Sequence, residues 1–129
     1  MFRNTAFALG LVLAAPAAFA QTAPAAEPID PSLAYEAARN QLGILKYCAD
    51  QGHTGTEAVA AQEKMVGMLP AGDTAAGDQA EAKGAAGTVS IGETEVTLAN
   101  AAANQNTTVD AQCKQIEAAV NQVAAQLPG

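Results

Sequence analysis

The chain has 129 residues, half of them hydrophobic but only 4 % aromatic, and carries a formal net charge of −7 at pH 7. That length suits one domain with a modest core. An acidic balance without a basic stripe repels phosphate backbones and anionic headgroups, which argues against nucleic acid as a partner.

The first twenty residues read as a secretory signal peptide. Arg3 supplies one positive charge ahead of an uncharged apolar stretch from Thr5 to Ala15, Pro16 interrupts it, and Ala18, Phe19 and Ala20 form a small-residue cleavage site. The apolar run is shorter than the roughly 20 residues a membrane span needs, so cleavage between Ala20 and Gln21 is expected, with no transmembrane segment afterwards. The mature protein is then periplasmic or secreted. It keeps five basic side chains (Arg39, Lys46, Lys64, Lys83 and Lys114) against thirteen carboxylates, a net charge of −8. All three phenylalanines leave with the signal segment, there is no tryptophan, and 33 residues of the chain are alanine. A core built this way is thin, because alanine contributes little beside the roughly 1.5 to 3 kcal/mol of a buried Leu or Val.

Residues 21–30, with two prolines and no large apolar side chain before Ile29, read as a flexible leader. The rest, 31–129, reads as a single helical domain. Asp30 before Pro31 is a helix-start signal, and good helix formers run from there to Gln51 and the terminating Gly52. Tyr35, Ala38, Leu42, Leu45 and Cys48 recur at spacings of three and four, so they form one buried stripe. A second, shorter helix over 56–69 is predicted, with Thr54 and Glu57 as a capping box and Pro70 as its stop. Its Ala58, Ala61, Met65 and Met68 share one face, read as core filler, and the two helices are expected to form an antiparallel hairpin across Gly52 to Gly55.

From Ala71 to Gly92, five glycines interrupt a small and polar background. This is the segment expected to be loosest. A helix between Thr74 and Ala86 is admissible, although an interior glycine costs about 1 kcal/mol relative to alanine. Val89, Ile91, Val96 and Leu98 alternate with polar residues around Gly92, the pattern of a minor β-hairpin near 88–98. Thr97 can cap a short helix from Leu98 to Asn104. A last long helix is predicted over 107–127, where Val109, Cys113, Ile116, Val120, Val123 and Leu127 keep helical spacing. The fold class is therefore mainly α: a small bundle of two long helices, one shorter helix and one or two short ones.

Export places Cys48 and Cys113 in an oxidising compartment, where two thiols usually pair. Each lies on the apolar stripe of its helix, which favours an intramolecular disulfide; an intermolecular bridge and a redox pair are the other readings. A redox pair normally has C-x-x-C spacing. No catalytic constellation emerges. His53 is a lone turn histidine, Ser32 and Ser90 lack a nucleophile elbow, and zinc would need more ligands than one His and two paired cysteines supply. No cofactor is called for, and the expectation is a protein that is not an enzyme.

Three stretches, Tyr35–Cys48, Gln62–Pro70 and Ala82–Thr88, resemble a group of small exported proteins of Gram-negative bacteria that have been grouped by name with the pore-forming early secreted antigenic target family. The resemblance implies a membrane-active role. In outline the chain is also similar to the Hde-type acid-stress chaperones, small exported helical proteins with one disulfide. The residues themselves point first to a binding, structural or chaperone-like module with an unknown protein or membrane partner, and pore formation is the alternative.

Overall fold

The computed structural model describes residues 30–128; the predicted signal segment, its cleavage site at Ala20 and Gln21, and the leader up to position 29 lie outside that range. Helix α1 spans Pro31–Asp50, with Pro31 at its first position and the Asp30 side chain accepting the Ser32 N–H at 2.8 Å. It stops one residue before the expected end, at the Gln51 C-cap and Gly52, whose φ of +76° suits a residue without Cβ. Helix α2 spans Glu57–Met68.

The expected capping box at α2 does not form. Thr56 occupies the N-cap without a side-chain bond, and the Thr54 Oγ1 is buried with no partner. A tertiary contact serves this helix start instead: the Glu117 carboxylate accepts the Gly55 N–H at 2.8 Å.

The segment expected to be loosest contains a regular helix, α3, over Thr74–Ala85, capped by the Asp73 side chain on the Ala76 N–H at 3.1 Å. It makes the most extensive helix packing in the fold, against α1. The glycines explain the reversal. A Cβ on Gly84 would lie against the Asn40 carbonyl, 2.8 Å from the Ile44 N and 2.9 Å from the Gly43 Cα. A Cβ on Gly43 would fall against the Glu81 carbonyl and 2.7 Å from the Ala85 N. Backbone thus meets backbone, and what counts against an isolated helix is the condition for this interface.

Strands β1 (Thr88–Ile91) and β2 (Thr94–Thr97) pair antiparallel, with Val89 opposite Val96 and Ile91 opposite Thr94. Gly92 turns the chain with φ +60°, the backbone that tight hairpins reserve for glycine. Val89 is half-buried, but Ile91 at the tip is 68 % exposed rather than part of the core. The free edge of β1 is met by one side chain of α1: the Asn40 carboxamide donates to the Thr88 carbonyl at 2.9 Å and accepts the Ser90 N–H at 3.0 Å. Its second N–H goes to the Ala80 carbonyl on α3 at 3.0 Å. Asn40 is 3 % exposed and takes the place of a neighbouring strand.

Helix α4 (Leu98–Asn104) is capped by Thr97 as expected, and α5 spans Val109–Ala124. The last helix is shorter than the predicted 107–127. Thr108 caps it, through the Ala111 N–H at 3.1 Å, and the helix ends at Ala124, past the half-exposed Val123 and before the partly buried Leu127. Two buried clusters hold the fold together. One gathers Ile44, Cys48, Leu98 and Cys113 from α1, α4 and α5; the other gathers Leu45, Ala58 and Val120 from α1, α2 and α5.

Candidate ligand groove

Cys48 and Cys113 are joined by a disulfide, with Cα atoms 5.6 Å apart and both side chains fully buried. The bond sits in the core cluster that Tyr47, Val89, Val109 and Ile116 surround. His53 approaches α5, its Nδ1 3.2 Å from the Asp110 Oδ1, and so ties the turn after α1 to the first turn of α5. A hydrogen bond from Lys114 holds the Asp110 carboxyl below the usual carboxylate range, and the charge of His53 adds to the effect. Ser32 is an exposed residue of the first turn of α1. Ser90 belongs to β1, where its backbone N–H is bonded to Asn40, and the fold does not bring it to His53.

A groove of about 380 Å³ opens between α1, β1 and α5. Its geometry follows from helical periodicity. On α1 the lining residues are Ala37, Asn40, Gln41 and Ile44, and on α5 they are Gln112, Gln115, Ile116 and Ala119. Each set has the spacing i, i+3, i+4, i+7, so each is one continuous helix face. Val89, Ser90 and Ile91 of β1 complete the wall. The floor is aliphatic: Ile44 is buried in the disulfide cluster, and Val89 and Ile116 pack on it. A neighbouring groove of about 350 Å³ shares Ala37, Ser90 and Ile91 and extends the surface toward the half-exposed Leu33.

No residue lining the 380 Å³ groove carries a charge. Arg39 and Lys46 of α1 are engaged with Asp78 and Glu81 of α3, away from this groove. Arg39 donates to the Glu81 Oε2 at 2.7 Å, to the Asp78 Oδ1 at 2.6 Å and to the Tyr35 hydroxyl at 2.8 Å. Lys46 donates to the other Glu81 oxygen at 2.6 Å and lies 3.7 Å from Glu63 on α2. Burial by itself would raise the Glu81 carboxyl, but hydrogen bonds from Lys46 and Arg39 outweigh it and hold the group below the usual carboxylate range. Burial likewise opposes the Arg39 charge, and its bonds to Tyr35, Asp78 and Glu81 more than compensate, so the guanidinium is held more firmly protonated than usual.

Polar groups in the groove wall are carboxamides and one serine. Asn40 has both N–H groups and its oxygen committed. Gln112 differs: the residue is 8 % exposed, and its Nε2 is buried without a hydrogen-bond partner. Native folds rarely leave such a donor unsatisfied, since it costs about 1 to 3 kcal/mol.

Comparison with known protein families, with curated proteins and with solved structures finds no match. Among the described residues no helix is long and apolar enough to cross a membrane.

Of the residues singled out from sequence, the fold brings Cys48 and Cys113 together and places His53 against Asp110. The groove residues escape a reading that follows only large apolar side chains. A signal is nonetheless present in the sequence: beside each apolar stripe, and one residue before it, runs a second one of the same helical period made largely of alanine and carboxamide residues.

Proposed function

We propose that this protein is an exported, non-enzymatic binding module whose groove between α1, β1 and α5 takes an uncharged, mainly apolar ligand. The observation that carries the reading is a charge-free groove with an aliphatic floor on a chain whose net charge is −7. Its volume lies within the roughly 300 to 1,000 Å³ range of small-molecule sites, and an apolar lining with a few convergent polar groups is what such sites share. An exposed apolar segment of an unfolding client is the same chemistry at lower specificity, so a chaperone-like role would use the same surface. The paired cysteines agree with an oxidising compartment, and export to the periplasm or beyond is part of the proposal.

The test uses diphenylhexatriene, an uncharged hydrocarbon that fluoresces only in apolar surroundings. The purified protein is expected to bind it saturably. Ala37 is exposed and lines both adjoining grooves, so Ala37→Trp should abolish binding while leaving the melting temperature within a few degrees. No saturable fluorescence, or fluorescence indifferent to Ala37→Trp, would remove the groove from consideration. Dye release from vesicles separates this reading from the pore-forming one that the resemblance implies: release at micromolar protein, unaffected by Ala37→Trp, would favour the membrane-active role.

A further inference from the structure

We infer that the ligand is a single aliphatic chain with a hydroxyl head: the chain lies in the groove already described, and Glu36 holds the head in the neighbouring one. This rests on the proposed binding role and goes further, to the shape of the ligand, its head group and the direction in which it lies. The two grooves share Ala37, Ser90 and Ile91, so they form one trough. Along α1 its length is marked by Leu33, Ala37 and Ile44, which fall on one helix face. The trough is open to solvent: Leu33 is 48 % and Ile91 68 % exposed, and Ala37 is exposed as well. From Glu36 to Ile44 along the helix is about 12 Å at the α-helical rise, a distance that suits an extended chain better than a compact ring.

Charge sets the head group and the direction. Glu36 is the one charged residue lining either groove. It is half-buried, and no ion pair among the described residues engages it, whereas the nearby Asp78 and Glu81 are both paired with Arg39. An ionised carboxylate only accepts hydrogen bonds, so its complement is a donor. A carboxylate head would meet like charge on a chain that is acidic throughout. An ammonium would shed its water for a single partner in an apolar trough, a pairing that about breaks even, while a hydroxyl makes the same bond at a smaller desolvation cost. The tail then runs away from Glu36 over the aliphatic floor of Ile44, Val89 and Ile116, where each buried methylene adds about fourfold in affinity.

The experiment titrates 1-decanol and its isomer methyl nonyl ether calorimetrically into the wild-type protein and into Glu36→Ala. The two ligands match in length and oxygen content, and only the alcohol can donate. Glu36→Ala removes no ion pair, so its melting temperature should stay within a few degrees of the wild type. Decanol is expected to bind the wild type more tightly than the ether, and Glu36→Ala should weaken decanol about fivefold while changing the ether less than twofold. Equal effects on both ligands, or none on either, would overturn the role of Glu36. A second variant tests the span: Ala119 is exposed and lines the wider groove but not its neighbour, so Ala119→Trp should weaken decanol and leave 1-hexanol, short enough to stay at the Glu36 end, unchanged. Decanol binding indifferent to Ala119→Trp would show that the chain does not cross into the wider groove, and would overturn the inference. Saturable diphenylhexatriene binding without any decanol binding would refute the chain and head group while the groove itself stands; failure of the dye and of both ligands would remove the groove and this inference together.

Discussion

Single glycines decide whether α1 and α3 can meet. Gly43 and Gly84, which have backbone behind them, behave oppositely to Gly67 in α2, where an added Cβ would meet nothing within 4 Å. Gly43→Ala and Gly84→Ala each drive a methyl group into main-chain atoms that cannot rotate away, so each is expected to cost about 3 kcal/mol or more, a large share of a small domain's stability. Gly67→Ala should instead stabilise by about 0.5 to 1 kcal/mol, because the helix loses a flexible residue and meets no obstacle. Denaturant melts of the three variants check both signs. If Gly43→Ala and Gly67→Ala shift the midpoint in the same direction, the close approach of α1 and α3 is not as described. Sequence reading also reaches its limit here. Glycine in a helix can be a defect or a contact, and the difference lies in what stands opposite, which for Gly84 is Asn40 some forty residues earlier in the chain.

Whole elements are legible where the signal is local. The Asp30 and Pro31 start of α1, the Thr97 cap of α4, the hairpin turn at Gly92 and the disulfide-bearing stripes all follow from short-range chemistry. The α2 cap and the packing of α3 are not legible, because Glu117 and Gly43 act from distant parts of the chain. What clamps α3 onto α1 beyond backbone contact is Glu81, shared by Arg39 and Lys46. Its carboxyl is held below the ordinary value, so the folded state binds a proton there less readily than the unfolded chain does. The stability it contributes is therefore present above the unfolded carboxylate range, near pH 4, and is lost as pH falls through the lower folded value. Wild-type melting temperature should decline below about pH 4, and Glu81→Gln should flatten part of that decline while costing about 1 to 2 kcal/mol at neutral pH. Melting curves recorded from pH 7 to pH 2 test it; parallel profiles for the two proteins would mean that acid acts elsewhere.

At the scale of the molecule, the groove and the disulfide are one design problem. The groove exists only while α5 stands at a fixed distance from α1, yet these two helices share far less surface than α1 and α3 do. Their principal link is the Cys48–Cys113 bond, which closes a segment of 65 residues and lies under Ile44 and Ile116, the groove floor. In the chain-entropy account a loop of that length is worth about 4 kcal/mol, and the aliphatic core around it is small. Reduction should therefore lower stability by about 2 to 5 kcal/mol. The loss should be uneven. Helices α1 and α3 keep their interlocked backbones and the Arg39–Glu81–Lys46 bonds, whereas α5 retains its packing on α2, α4 and the Leu45–Val120 cluster and the single bonds of Asp110 to His53 and of Glu117 to Gly55. Hydrogen exchange with and without reductant should show amide protection in α5 collapsing before that of α1 and α3, and diphenylhexatriene binding should vanish with the α5 protection. Retained dye binding in a protein with two free thiols would show that the groove is held open by packing alone, and a uniform loss of protection across all helices would show that the disulfide supports the fold as a whole.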